Sequence, residues 1–261
     1  TGHIMRRGGG MKIRLLIGVA VVAFALLRNC SNRQENPYTG KVQSISMSPE
    51  QEIQIGLANA PAMADQHGGL HPDKQLQAFI DQIGENLVKS SMARETPYQY
   101  EFHLLRDDQT INAFALPGGQ IFITYALLSK LENEDQVAGV LGHEIGHVLG
   151  KHSAERVESS KMWQTISMGA EVGGGMGQAA GGIGQNILLG NGREDELESD
   201  DLGVQFMIRA GYNPYEMIKV MQVLKTAAGP NRQPEFSSTH PDPDNRMGKI
   251  KESIERYGYQ G

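Results

Sequence analysis

His143-Glu144-Ile145-Gly146-His147 is the stretch that decides the interpretation of this 261-residue chain. Two histidines four residues apart on a helix project from the same face. Both imidazoles therefore reach one Zn²⁺ at about 2.0–2.1 Å, and Glu144 is placed to take a proton from a water that the metal activates. The alternative is an ordinary amphipathic helix that carries two histidines by chance, which the motif alone does not exclude.

The flanking sequence predicts a helix over residues 134–152. It begins after Asn133, a residue type that caps helix N-termini, and apolar residues recur along it at helical spacing. His152 follows His147 by five positions, which on a continuous helix turns it away from the metal. We therefore predict a structural role for His152.

A second predicted helix, residues 194–210, carries the candidate for a third metal ligand. Catalytic zinc sites commonly use two histidines and one glutamate and leave the fourth position to water. Glu196 and Asp200 share a helix face, which assigns Glu196 to the metal and Asp200 to a hydrogen bond with a ligand imidazole. Spacing alone leaves Glu198 as an alternative ligand. A solvated helix start is the favoured interpretation of the other acidic positions: Glu194, Asp195, Glu198 and Asp201.

His240 lies in the turn Ser238-Thr239-His240-Pro241, where the following proline excludes a helix interior. In a zinc peptidase, a histidine fixed in this way hydrogen-bonds the oxyanion of the tetrahedral intermediate, and Arg246 supports the same region. Without that context, a single loop histidine is an exposed bystander.

These stretches, together with residues 112–119, resemble the CAAX-prenyl-protease/HtpX-like gluzincin metallopeptidases, and more narrowly their single-domain bacterial lipoprotein members. Four motifs in the family's order cover roughly Ser48 to Tyr257. The resemblance implies one Zn²⁺ per chain, held by His143, His147 and Glu196, with Glu144 as general base and acid, Asp200 and Arg246 behind the ligands, and His240 at the transition state. In some relatives the equivalent of His240 binds the metal and silences the enzyme.

The function implied by the resemblance is zinc-dependent endopeptidase activity on unfolded or misassembled proteins of the cell envelope. A chaperone-like envelope assembly factor with a latent or structural zinc centre is the main alternative. A processing enzyme for one specific precursor is a third.

The predicted strand Asn112–Ala115 supplies the substrate-binding residues on this interpretation: Asn112, Ala113, Phe114 and Ala115. A peptidase that accepts varied sequences binds the backbone of its substrate, and an exposed strand edge does so by adding the substrate as a further strand. Ala113 and Ala115 are small enough for a close approach, whereas Phe114 points into the core. A plain core strand is the alternative.

The first 30 residues predict a tag remnant (residues 1–5) followed by a targeting segment. The apolar stretch from Leu15 to Leu27 is shorter than the ~17–25 residues of a membrane-spanning helix. Cys30 stands where a bacterial lipoprotein is acylated, so we expect a lipid anchor in the outer membrane, on the periplasmic side. An uncleaved signal anchor and plain secretion are the alternatives. Residues 31–47 are predicted to be a linker and 48–261 a single metallopeptidase domain.

The composition agrees with one enzyme domain. The net charge of −6 offers no basic surface for nucleic acid, and a single cysteine excludes an internal disulfide. The glycine-rich segment 169–192 is either a lid or a tightly packed small-residue helix. Nothing in the sequence indicates the oligomeric state.

The predicted fold is α+β, with helices packed on a small three-stranded sheet whose edge strand borders the site. We assign strands to residues 102–105, 111–116 and 120–124, with a hairpin turn at Pro117-Gly118-Gly119. The remaining helices are predicted near residues 49–60, 73–91, 126–131, 214–227 and 244–257. His67 and His71 are assigned to a solvated loop.

Overall fold

A computed structural model describes residues 8–174, 192–227, 238–241 and 243–260 of the chain. Their contacts divide them into two compact units, and each is described by itself. The first unit comprises residues 8–46 and 154–174, and the second comprises the remaining described residues. The predicted metal-site and substrate-binding residues all belong to the second unit.

The first unit begins with an apolar helix, α1 (Gly8–Ser31). Within it, the 21 residues Met11–Ser31 are long and apolar enough to cross a membrane by length and composition, a test that a signal sequence also passes. The prediction that this segment is too short to span a membrane is therefore wrong. The helix continues past the apolar run at both ends and includes polar and basic residues that the sequence analysis left out.

A short antiparallel hairpin follows α1, formed by β1 (Arg33–Glu35) and β2 (Val42–Ser44). The side chain of Asn36 donates a hydrogen bond to Gln43 at 3.1 Å, and both side chains are buried. Gly40 adopts φ 75°, a left-handed conformation that glycine adopts without strain. The predicted linker thus contains ordered strands, while the division into residues 1–30, 31–47 and 48–261 stays a prediction.

Helices with recognisable N-terminal caps build the second unit. Helix α2 (Pro49–Gln66) starts with a capping box in which Ser48 and Gln51 exchange side-chain to backbone hydrogen bonds. Helix α3 (Lys74–Lys89) is capped by Asp73 and buries one apolar face. The other helices of this unit are α4 (Tyr125–Leu128), α5 (Glu134–Leu149), α7 (Arg193–Ala210), α8 (Tyr215–Ala227) and α9 (Pro243–Arg256), with a 3₁₀ turn at Met92–Glu95. Helix α6 (His152–Gly174) belongs to the first unit from residue 154 onward.

The three-stranded sheet of this unit has the order β3-β5-β4, with β3 at Glu101–Leu105, β4 at Ala113–Ala115 and β5 at Gln120–Thr124. β5 pairs in parallel with β3 and antiparallel with β4. Every residue of β5 is buried, as expected of a central strand covered on both faces. β3 and β4 are the edges.

The two edges of the sheet differ in how their outward backbone groups are used. At β3, the Gln77 side chain donates to the Phe102 carbonyl at 2.7 Å and accepts from the Leu104 N–H at 3.0 Å. The Leu104 carbonyl accepts from the His71 N–H at 2.8 Å. At β4, no strand pairs with the outer side within the part of the chain that the structure describes.

Helices α5 and α7 pack closely because glycines line their contact. A Cβ built on Gly146 would lie 2.9 Å from the Cα of Ser199, closer than real Cβ atoms approach backbone. One turn earlier, a Cβ on Gly142 would lie 3.5 Å from the Cα of Gly203, an ordinary contact. This approach brings the histidines of α5 and the acidic residues of α7 together.

The predicted fold class is confirmed: the chain is mostly helical, with a small three-stranded sheet. Two local predictions are wrong. Helix α5 ends at Leu149 rather than at residue 152, and Lys151 adopts φ 57°. His67 is buried rather than solvated, and its Nδ1 lies 2.9 Å from Oδ2 of Asp107. Most of the glycine-rich segment, residues 175–191, lies outside the described residues.

Candidate metal centre

Helix α5 presents the two histidines of the HExxH motif. Asn133 caps the helix by accepting a hydrogen bond from the Gln136 N–H at 2.9 Å, and all residues from Gln136 to Leu149 are buried. The four-residue spacing places His143 and His147 on one face. Their Nε2 atoms lie 2.9 Å apart and point to a common position.

Glu196 reaches the same position from the first turn of α7. Its side chain is buried, and its carboxylate oxygens lie 3.4 Å from Nε2 of His143 and 3.3 Å from Nε2 of His147. The face argument assigned Glu196 to the metal, and the structure brings it to both histidines. Glu198, the alternative by spacing, contacts neither of these Nε2 atoms.

His240 supplies a fourth donor atom. Its Nδ1 lies 3.2 Å from Nε2 of His143, 3.3 Å from Nε2 of His147 and 3.1 Å from the Glu196 carboxylate. The side chain is buried, so His240 is no exposed bystander. Its Nδ1 occupies the position of a potential ligand, while its Nε2 lies 3.6 Å from Oε1 of Glu144.

The donor atoms of these four residues fit a zinc ion. Zinc bonds of about 2.0–2.1 Å in a tetrahedron separate the ligand atoms by roughly 3.3 Å. The separations listed above run from 2.9 to 3.4 Å, and all four donors lie within 4.8 Å of one another. Three imidazole nitrogens and one carboxylate oxygen are also ligands that zinc prefers.

Glu144 lies beside these donors with one oxygen unsatisfied. The side chain is buried, and among the described residues its Oε1 has no hydrogen-bond partner. Buried polar atoms are rarely left without a partner, so Oε1 is available to a water or a substrate proton. Burial raises the pKa of Glu144 above its ordinary value, the direction that favours uptake of a proton by a general base.

Asp200 and Arg246 support the first ligand from behind. Oδ1 of Asp200 lies 2.9 Å from Nδ1 of His143, which leaves Nε2 of that ring for a metal. Arg246 donates two hydrogen bonds of 2.7 Å to Asp200, and its guanidinium also lies 2.8 Å from Glu196. Arg246 is buried and holds two carboxylates of the centre, while its support of the oxyanion region stays a prediction.

The charges of the centre are set by its neighbours. Burial alone would raise the pKa of Glu196, but His240 and His147 outweigh it and hold this pKa well below its usual range. Burial lowers the pKa of His147 well below the ordinary value. At His143, burial and Arg246 lower the pKa, yet the hydrogen bonds to Asp200 and Glu196 prevail and raise it to about 9. A proton therefore competes with a metal at His143.

The second ligand has a support that the sequence analysis missed. Nδ1 of His147 lies 2.8 Å from Nδ1 of His152, and Nε2 of His152 lies 2.8 Å from Oε2 of Glu198. The prediction of a solvated Glu198 is wrong, since its side chain contacts the buried His152. The structural role of His152 stays a prediction, but its contact with a ligand histidine was missed. The signal that could have found this contact is Gly150, which marks the end of α5 and breaks the spacing argument.

Comparison with known proteins decides the family. The profile of peptidase family M48 matches residues 74–254, more than two thirds of the chain. The chain belongs to peptidase family M48. The predicted CAAX-prenyl-protease/HtpX-like identity is thereby confirmed, and the prediction of a metallopeptidase is confirmed at the level of the family.

Individual M48 relatives differ in how much of their length the chain covers. The beta-barrel assembly-enhancing protease of Escherichia coli (strain K12) is 28% identical over 250 residues, which are 91% of this chain and 50% of that protein. The metalloprotease YcaL of the same organism is 26% identical over 253 residues, 92% of this chain and 97% of that protein. The mitochondrial metalloendopeptidase OMA1 of Saccharomyces cerevisiae is 33% identical over 161 residues, 57% of this chain and 45% of that protein. The chain thus spans about half the length of the assembly-enhancing relative.

Strand β4, the predicted substrate edge, packs against α5 of the M48 site. The Asn112 carbonyl and the Leu116 N–H bond to β5, so in an antiparallel ladder the backbone groups of Ala113 and Ala115 point outward. Both alanine side chains are buried, and Phe114 stacks on Phe122 with ring centroids 4.9 Å apart. Because Ala113 and Ala115 are buried as whole residues, strand addition requires the residues that cover them to move, and the substrate-binding role of residues 112–115 stays a prediction.

Proposed function

We propose that this chain is a zinc-dependent endopeptidase that hydrolyses peptide bonds of unfolded or misassembled envelope proteins. The observation that carries the proposal is the convergence of His143, His147 and Glu196 on one position, beside a Glu144 oxygen that has no hydrogen-bond partner among the described residues. Membership of peptidase family M48 supports the same activity.

Zinc at this position supplies Lewis-acid chemistry that polarises a carbonyl and lowers the pKa of water to about 7. The remaining work falls to the side chains. Glu144 accepts the proton of the attacking water at Oε1 and then donates it to the leaving amine. Burial raises its pKa, which favours the first of these transfers. Asp200 holds His143 in the tautomer that exposes Nε2.

The edge of β4 binds the substrate backbone in this proposal. The outward N–H and carbonyl groups of Ala113 and Ala115 pair with an extended peptide, which gives affinity with little dependence on side chains. The Ala115 carbonyl already accepts a hydrogen bond of 2.9 Å from the Ser153 hydroxyl. A carbonyl oxygen accepts two hydrogen bonds, so the substrate N–H joins this bond without displacing it.

The first experiment is digestion of unfolded casein by the wild type and by Glu144→Gln, with equal zinc content verified in both proteins. We expect the wild type to cleave and Glu144→Gln to lose activity by about 10²–10⁴-fold, the usual contribution of a general base. Equal cleavage by both would trace the activity to a contaminant and remove the proposal.

A latent or chaperone-like protein is the second candidate, and the position of His240 favours it. Its Nδ1 stands where a catalytic zinc site keeps water. We infer that His240 must leave this position before substrate enters, and His240→Ala tests the inference. Faster casein cleavage by His240→Ala would identify a closed enzyme, whereas slower cleavage would support the predicted oxyanion role. If neither the wild type nor His240→Ala cleaves casein although both are loaded with zinc, the result would favour the binding protein.

The substrate class rests on relatives rather than on a motif. The assembly-enhancing protease, by its name, acts in β-barrel assembly, and we extend an envelope role to this chain. Mapping of cleavage sites on a pool of unfolded envelope proteins distinguishes a general scavenger, which cuts many sequences, from a processing enzyme, which cuts one.

We further propose a lipid anchor at Cys30 that holds the domain at the outer membrane. Cys30 lies near the end of the apolar helix α1, which fits a signal or an anchor, and Cys30 is exposed. Cys30→Ala should move the protein from the membrane fraction to the soluble fraction. Unchanged membrane association would indicate an uncleaved signal anchor instead.

A further inference from the structure

The second histidine of the metal centre makes its remaining hydrogen bond to another histidine. For Nε2 of His147 to give its lone pair to a metal, its hydrogen must sit on Nδ1. That Nδ1 lies 2.8 Å from Nδ1 of His152, which must therefore accept. The Ser199 hydroxyl lies 3.3 Å from the same His152 nitrogen. A hydroxyl can donate a hydrogen bond to this nitrogen, so its presence is consistent with Nδ1 of His152 as an acceptor.

The direction of hydrogen bonding continues to Glu198. Because Nδ1 of His152 accepts, the hydrogen of this ring is on Nε2, and Nε2 lies 2.8 Å from Oε2 of Glu198. A carboxylate is the natural acceptor there. The three side chains thus form one consistent series of donors and acceptors, in which Glu198 fixes the tautomer of His152 and His152 fixes the tautomer of His147.

The backbone between the two histidines is shaped around the His152 ring. A Cβ on Gly150 would lie 2.4 Å from Nε2 of His152, so only glycine leaves room for the ring. Lys151 adopts φ 57°, a strained conformation for a residue with a side chain. Its ammonium is held by Glu52 at 2.7 Å, and Tyr98 donates to the same carboxylate at 3.0 Å. Strain of this kind persists where surrounding contacts hold it.

We propose that His152, aligned by Glu198, is a positioning residue that holds His147 in the tautomer and orientation needed to bind zinc. The inference rests on the proposed zinc function of the centre. It gives the two ligand histidines different supports, since His143 contacts the Asp200 carboxylate directly and His147 reaches Glu198 through a second imidazole.

Three variants of the full-length protein disturb the series at different points. His152→Phe keeps a buried ring but removes both hydrogen bonds. Glu198→Gln keeps an acceptor oxygen but removes the charge. Gly150→Ala displaces the His152 ring without removing it. The matched controls are Glu194→Gln, an exposed residue on the same helix as Glu198, and Gly248→Ala, where an added Cβ meets nothing within 4 Å.

The primary measurement is the zinc dissociation constant, obtained by competition with a chromophoric chelator, together with the visible spectrum of the Co²⁺-loaded protein. We expect the zinc dissociation constant to rise about 10–100-fold for His152→Phe and Gly150→Ala, as for other partners of ligand histidines, and less for Glu198→Gln. The Co²⁺ spectrum should shift in all three. Both controls should match the wild type.

A merely structural role gives a different result. If the role were merely structural, the variants would unfold at a lower midpoint in the presence of chelator and would bind zinc as tightly as the wild type. If the proposed role is right, Glu198→Gln binds zinc less tightly and unfolds at the wild-type midpoint. Zinc affinities of all three variants within about twofold of the wild type would overturn the proposal. Two zinc ions per wild-type chain and one in Glu198→Gln would also overturn it, by revealing a metal at His152, Asp195 and Glu198. Because zinc binding is measured without peptide, loss of this series of hydrogen bonds and absence of peptidase activity are separate results.

Discussion

Replacement of Gly146 by alanine tests how closely the two metal-bearing helices must pack. The new Cβ would lie 2.9 Å from both the Cα and the carbonyl oxygen of Ser199, whereas nonpolar atoms rest about 3.5–4.0 Å apart. Helix α7 must therefore move away by roughly 0.6 Å or more to restore an ordinary contact. Backbone on both sides leaves no flexible side chain to absorb the change.

Gly142→Ala is the matched control, because it lies one turn earlier on the same helix and its added Cβ would meet Gly203 at an ordinary 3.5 Å. Both substitutions gain about 1 kcal/mol of helix propensity, which cancels in the comparison. Overpacking costs about 1–3 kcal/mol. We therefore expect the free energy of unfolding of Gly146→Ala to be lower than that of Gly142→Ala by this amount.

The assay is denaturant unfolding in the presence of chelator, so that metal binding does not contribute to the free energy. Zinc affinity provides a second measurement. Glu196 lies one turn before Ser199, and a displacement beyond about 0.5 Å weakens a preorganised site, so only Gly146→Ala should bind zinc less tightly. Equal unfolding free energies for the two variants would refute the close-packing argument.

Three further predictions concern charge and metal. Arg246→Met should lower the free energy of unfolding by about 3–5 kcal/mol, because it leaves Asp200 and Glu196 as buried carboxylates without their counter-ion; thermal denaturation in chelator measures the loss, and a stable variant would contradict it. Burial raises the pKa of Asp107, but the hydrogen bond from His67 outweighs this effect, so the pKa lies well below its usual value. A carboxyl group whose pKa is lower in the folded state stabilises the fold at pH values above its unfolded-state pKa of about 4. This contribution is lost as the pH falls toward the folded-state pKa. The stability difference between the wild type and Asp107→Asn should accordingly be full near pH 6 and shrink below about pH 4 in urea titrations. Chelation of zinc should lower the thermal midpoint, and added zinc should restore it; an unchanged midpoint would mean that the folded chain holds no zinc.

The parts of the fold that the sequence predicted are those with local physical causes. Asn133 caps a helix as predicted, and the helices predicted to start near residues 49 and 73 begin there, capped by Ser48 and Asp73, because a side chain that bonds to its own helix N-terminus needs no distant partner. The strand order was not predicted, since the parallel pairing of β3 with β5 depends on contacts between segments about 19 residues apart. The β1–β2 hairpin was missed because its polar strands lack apolar alternation.

The same distinction applies to the metal centre. His143 and His147 were found because a four-residue spacing places them on one face of their helix, and Glu196 because it shares a helix face with Asp200. The contact of His152 with His147 was missed because the spacing argument assumed one continuous helix, whereas α5 ends at Leu149 and Lys151 adopts φ 57°. The pairing of the buried His67 with the partly buried Asp107 joins residues 40 positions apart, a tertiary contact that no local sequence pattern predicts.

The side chain of Gln77 limits how copies of this protein associate through the three-stranded sheet. Growth of a sheet from molecule to molecule needs two pairing edges in each molecule, one to receive a strand and one to offer. The amide of Gln77 already engages the Phe102 carbonyl and the Leu104 N–H, so only the β4 side of this sheet is left for pairing among the described residues. Polymerisation by this route stops at two molecules. A fold with one strand edge already occupied by its own side chain thereby avoids becoming the seed of a fibre.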